Sequence, residues 1–103
     1  MAYKQYEELT EDELAQLEQC GGVGFSYADV AVIFGFDPSE VREQFRSKQG
    51  SIYERYRVGR LQAELILRQN ILNSANNGSS PSQLYMMKLY EHADALHHEL
   101  DYS

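Results

Sequence analysis

The stretch SYADVAVIFGFDPSEVREQFRS, Ser26–Ser47, decides the fold. Ser26 and Asp37 are each followed three residues later by an acid, Asp29 and Glu40. In that signature the cap side chain accepts a free amide hydrogen of the first helical turn. Pro38 falls at the first helical position, where its missing N–H costs nothing. Between the two starts stands Gly35, a residue that tolerates the left-handed conformation closing a helix. The signals predict helices over 27–34 and 38–47. Ala31 is small enough to let them cross tightly, Gly35 permits a turn with positive φ, and Val41 falls on the inner face of the second helix. Val30, Phe34, Phe36, Val41 and Phe45 supply the apolar residues of such a pair. The Ala-x3-Gly-x5-Val spacing is that of a DNA-binding helix-turn-helix, whose second helix enters the major groove. Small helical bundles with short Gly turns share it, so a purely structural helix pair is the alternative.

If the second helix of the pair reads DNA, its outward residues are Ser39, Arg42, Glu43 and Arg46. Arginine can donate two parallel hydrogen bonds to guanine, and glutamate can accept from cytosine. Arg46, Lys48, Arg55 and Arg57 would then contact the phosphate backbone and orient the head. Against this, Asp37, Glu40 and Glu43 bring the recognition helix close to neutrality.

Working outward, Thr10 with Glu13, Ser51 with Glu54, and Ser80 with Gln83 repeat the capping signature. Gly21-Gly22, Gly50 and Asn77-Gly78 supply stops. Further helices are expected over 11–20, 52–76 and 81–100. No segment alternates in the manner of a strand. The expected class is all-α: a helix-turn-helix head with an acidic N-terminal helix over 1–50, then a long antiparallel two-helix hairpin over 51–103, about five helices in all. Leu61, Leu65, Arg68, Leu72 and Ala75 follow a coiled-coil-like step along the fourth helix. Leu84, Met87, Tyr90 or Glu91, then Leu96 and Leu100 form a stripe on the fifth, suited to packing antiparallel on the fourth. Both helices carry more than one apolar face, so the hairpin is expected to stack on copies of itself. Tyr56, Leu61, Leu65, Leu72, Leu84 and Met87 are the expected interface residues. A monomeric bundle with the hairpin folded back on the head is the alternative.

The net charge of −7 argues against a surface coated in basic residues for nonspecific nucleic-acid binding. Its distribution matters more: residues 1–20 carry −5, 21–41 carry −3, 42–70 carry +4 and 71–103 carry −3. Positive charge confined to one stretch is the pattern of a local anion-binding surface, although solvated helix faces produce it too. No apolar run approaches the ~20 residues of a membrane span. The amino terminus lacks the apolar stretch of a secretory signal. Cys20 stands alone, which fits a reducing compartment, and a cytoplasmic location is expected. No catalytic constellation is read, so a nonenzymatic protein without cofactor or metal is expected. His92, His97 and His98 share one helix, where His97 could pair with Asp94 or Asp101, but no partner segment completes a metal site. Gly21-Gly22-Val23-Gly24 follows a helix and lacks the Lys-Ser/Thr of a phosphate loop.

A helix-turn-helix leading into Tyr56-Arg57-Val58-Gly59-Arg60, a long helix with Glu64 and Leu65, then Ala75-Asn76-Asn77-Gly78-Ser79 and a second helix resembles the small terminase subunits of tailed bacteriophages. The resemblance covers residues 26–90. It implies a head that binds viral double-stranded DNA, a hairpin that builds a homo-oligomeric ring, and a ring that presents DNA to a large terminase motor subunit. By position it implies DNA contact by Arg42, Arg46 and Lys48 and ring packing by Leu61, Leu65 and Leu72. A viral protein of this kind would act in the host cytoplasm. A ring would also let weakly binding heads act together, since later contacts become effectively intramolecular. Two further readings stay open: a dimeric transcriptional regulator using the same head on a palindrome, and an assembly or adaptor protein whose helix-turn-helix does not touch DNA.

Overall fold

The computed structural model describes residues 2–100, and among them the chain is all-helical. A 3-10 turn at Tyr6–Glu8 precedes α1 (Glu11–Val23), α2 (Tyr27–Phe34), α3 (Pro38–Ser47), α4 (Ser51–Asn76) and α5 (Ser80–Leu100). The chain forms two compact units, the first ending at Glu64 and the second beginning at Leu65. None of the described helices is long and apolar enough to cross a membrane.

In the first unit, α2 and α3 form the expected pair. Gly35 takes the left-handed conformation at φ 74°, and its N–H donates to the Ala31 carbonyl. The Phe36 N–H donates to the same carbonyl at 3.0 Å, which turns the chain. Val30, Ala31, Phe34, Phe36 and Val41 are buried together with Leu17 and Cys20 of α1 and Ile52 and Tyr56 of α4. Tyr6, Leu9 and Phe45 pack at the rim of this core. The first turns of α4 therefore contribute to the head's interior.

The starts of α1 to α3 follow the sequence signature. Thr10 and Glu13 exchange two bonds of 3.1 Å, side chain to backbone in each direction. Ser26 Oγ accepts from the Asp29 N–H at 3.2 Å, and the Asp37 carboxylate accepts from the Ser39 N–H at 3.0 Å. At α4 the capping role expected of Ser51 is filled instead by Gln44 of α3. Its Oε1 accepts from the Ile52 N–H at 3.0 Å and the Tyr53 N–H at 3.2 Å. At α5 the cap is Ser79 rather than Ser80: its carbonyl accepts from the Gln83 N–H at 3.0 Å and its Oγ from the Ser82 N–H at 3.4 Å.

α1 does not stop at Gly21-Gly22. It continues to Val23 and closes at Gly24, which holds φ 79°. Both glycines are helical, and at Gly21 and Gly59 α1 crosses α4 with the backbones nearly touching. A Cβ on Gly21 would overlap the Tyr56 carbonyl, and one on Gly59 would overlap the Glu18 carbonyl. Missing side chains, rather than backbone freedom, are what these positions require.

The acidic N-terminal segment packs on the head. The Lys4 N–H donates to the Gly35 carbonyl at 2.8 Å, tying the segment to the helix-turn-helix turn. Lys4 Nζ meets Glu13 at 2.7 Å. Arg55 donates to the Tyr6 hydroxyl at 3.3 Å and to Glu18 at 3.1 Å.

In the second unit, Gln83 Nε2 donates to the Ala75 carbonyl at 3.0 Å, bringing the first turn of α5 back beside the end of α4. Met86 and Ala75 are buried, with Ser82 and Leu89 half-buried, while Leu84, Met87 and Tyr90 are exposed. The buried face of α5 thus runs through Met86 and Leu89, not through the stripe expected from sequence.

Candidate nucleic-acid interface

Asp37 and Pro38 fix the start of α3, and Val41 with Phe45 fix its inner face. At 100° per residue positions 39, 42, 43 and 46 fall on the opposite, outward side. Ser39, Arg42, Glu43 and Arg46 are all exposed and together line one shallow hollow of about 260 Å³. The residues predicted to face the groove thus share one surface.

Their charges are not equivalent. Arg46 donates to Glu43 through Nε at 3.0 Å and Nη2 at 2.7 Å, a two-point pair one helical turn apart. The Arg46 hydrogen bonds hold the Glu43 carboxyl below its ordinary range, and the bond to Glu43 raises the Arg46 guanidinium. Both side chains are more than half exposed, so water and salt screen the pair and phosphate can compete for Arg46. Arg42 has no ion-pair partner among the described residues. Its charge acts on the neighbouring Glu43 carboxylate through space and not through a hydrogen bond among the described residues.

Lys48 ends α3 in the left-handed conformation at φ 57°, its N–H donating to the Gln44 carbonyl. Its exposed side chain directly follows α3. Arg57 is exposed as well. Arg55 differs: Tyr6 and Glu18 hold it, and those bonds raise its pKa, the Tyr6 hydroxyl first. Of the predicted phosphate contacts, Lys48 and Arg57 are accessible and unpaired among the described residues, while Arg46 and Arg55 have internal partners.

A second hollow, about 290 Å³, lies along α4 between Tyr53, Tyr56, Arg57, Arg60, Leu61 and Glu64. Its aromatic wall continues beneath the surface. Phe45 meets Tyr56 and Tyr53 edge-on at 4.8 and 5.4 Å between ring centres, and Tyr27 at a tilt at 6.5 Å. The Tyr56 hydroxyl donates to the Phe25 carbonyl at 2.7 Å. Neither Tyr53 nor Arg60 is among the contacts expected from sequence. The 53/56/57/60 spacing, which puts all four on one helical face, was the available signal.

The expected assembly residues divide. Leu61, Leu65, Leu84 and Met87 are 49%, 58%, 54% and 57% exposed, and Leu72 is half-buried. Tyr56 lies inside the head's own core. Among the described residues no three His, Cys, Asp or Glu side chains converge as a metal site would require. Asp101 lies outside them. Cys20 is buried, and desolvation raises its thiol pKa, the opposite of activation. No family model matches the chain, and no curated protein or solved structure shows significant similarity to it.

Proposed function

We propose that the protein is a nonenzymatic DNA-binding homo-oligomer of the small-terminase type, which recognises viral double-stranded DNA and recruits a packaging motor. The observation that carries the DNA-binding part is the α2–α3 pair. Ala31, Gly35 and Val41 occupy its crossing, turn and inner face, while Ser39, Arg42, Glu43 and Arg46 share its outer surface. In this reading α3 enters the major groove, Arg42 contacts a base edge, and Lys48 and Arg57 contact phosphates on either side. Arg46 exchanges Glu43 for DNA on binding. Assembly is supported by the second unit, where Leu65, Ile66, Leu67, Leu84, Met87, Tyr90, Leu96 and Leu100 are each at least half exposed. Such an amount of apolar side chain on two helices calls for a partner surface. The terminase assignment itself rests on the resemblance across residues 26–90.

The test is duplex binding by fluorescence anisotropy at low salt, comparing the wild type with Arg42→Glu plus Arg46→Glu. Both positions are exposed, so the fold should survive. Affinity should fall by at least tenfold, with a shallower dependence on salt. Undiminished binding would remove groove reading by α3. The Glu43–Arg46 pair favours one other reading, an adaptor whose helix-turn-helix does not touch DNA. A wild type blind to duplex of any sequence would favour the adaptor.

A further inference from the structure

Arg57 and Arg60 present two guanidinium groups without an ion-pair partner among the described residues, in a chain of net charge −7. They line the same hollow as Tyr53 and Tyr56. Two partly exposed tyrosine rings, Tyr53 and Tyr27, also meet Phe45 beside its contact with Tyr56. Tyr53 is half-buried, Tyr27 is 39% exposed and in ring contact with Phe45, and Phe25, whose carbonyl holds Tyr56, is 42% exposed. A core-filling role explains Tyr56 and Phe45. It does not explain the half-exposed Tyr53 ring sharing a hollow with Arg57 and Arg60.

We propose that this aromatic–arginine ledge is a second nucleic-acid site, one that takes an unpaired strand. A base in a duplex hides its flat face against its neighbours, whereas a base in a single strand can lay that face on a tyrosine while its phosphate meets an arginine. The ledge offers both elements at the spacing of adjacent helical turns. It lies on α4, apart from the Ser39–Arg42–Glu43–Arg46 hollow of α3. The inference therefore goes beyond duplex recognition and does not depend on it. Tyr53 with Arg60 is the defining pair; Arg57 serves either ligand.

Anisotropy of a 5′-labelled eight-nucleotide single strand, titrated with the full-length protein at low salt, tests the site. Arg60→Ala and Tyr53→Ala should each weaken single-strand binding by about five- to one-hundredfold, the range of a lost stacking contact, while Arg60→Ala leaves duplex affinity within about twofold. Tyr53→Phe keeps the ring and should bind as the wild type does, which separates stacking from any loosening of the head by Tyr53→Ala. Arg42→Ala should weaken the duplex and leave the single strand unaffected. The proposal is overturned if the wild type takes up no single strand, or if Arg60→Ala binds it unchanged. It is equally overturned if Arg42→Ala abolishes single-strand binding, because one surface would then serve both ligands. It also fails if Arg60→Ala lowers self-association instead, which would make the ledge a contact with a second copy. Loss of duplex binding with single-strand binding retained would sink the groove reading alone.

Discussion

Adding one methyl group to adjacent glycines of α1 should have opposite effects. In an ordinary helix interior Gly→Ala stabilises by about 1 kcal/mol, because glycine loses more backbone freedom on folding. At Gly22 that gain should appear: a Cβ there would lie 3.5 Å from the Gly59 carbonyl oxygen and 3.6 Å from the Ala63 Cβ, ordinary contact distances. At Gly21 the methyl would overlap the Tyr56 carbonyl and come within 3.1 Å of the Arg60 nitrogen, backbone atoms that cannot rotate away. α1 and α4 would have to separate by about 1 Å, forfeiting a large part of the dispersion contacts along the crossing. Leu17, Cys20 and Tyr56, buried there, would loosen. With overpacking costing about 1–3 kcal/mol or somewhat more, offset by the helix gain, Gly21→Ala should destabilise by about 2 kcal/mol. Urea unfolding followed by circular dichroism reads both variants. With a slope near ~1 kcal/mol/M, the midpoint should fall by about 2 M for Gly21→Ala and rise by about 0.5–1 M for Gly22→Ala. A midpoint for Gly21→Ala at or above the wild type would refute the close crossing.

Further expectations concern other joints of the head. Gln44→Ala removes the acceptor of the Ile52 and Tyr53 N–H groups and should cost about 1–2 kcal/mol in urea unfolding, whereas Gln44→Glu keeps an acceptor there and should recover most of that loss. Lys48→Gly relieves a left-handed non-glycine residue and should stabilise by about 0.5–1 kcal/mol while weakening duplex binding, with a salt slope shallower by about 1. Lys4 holds the Glu13 carboxyl below its ordinary pKa. A lowered folded-state pKa contributes stability that is present above the unfolded value and lost as pH falls through the folded one. Lys4→Met should therefore melt below the wild type at about pH 7 and converge with it near pH ~2, as a thermal melt at each pH would show.

The head was legible because its signals are local. Ser26, Gly35, Asp37 and Pro38 mark boundaries within a few residues of themselves, and the inner positions Val30, Phe34 and Val41 repeat at helical spacing. What sequence reading missed depends on partners far along the chain. Gly21-Gly22 resembles a helix stop until Tyr56 and Gly59 are seen against it. Ser51 carries a local cap signature, yet Gln44 reaches the same amides from the preceding helix. Lys4 on Gly35 and Tyr6 on Arg55 are long-range contacts with no periodicity to announce them. In the candidate site the outward set on α3 followed from helical geometry. Its pairing of Glu43 with Arg46 was readable from their three-residue spacing. The engagement of Arg55 by Glu18 was not, because 37 residues separate the partners.

The central claim, a head that binds duplex carried on an assembling hairpin, is tested most directly by solution mass. Light scattering would be recorded at low salt with and without a short duplex, for the wild type and for Arg42→Glu plus Arg46→Glu. The account predicts a closed multimer in both proteins, with duplex added to the mass of the wild type alone. A monomer, or a variant that takes up duplex as the wild type does, would contradict it.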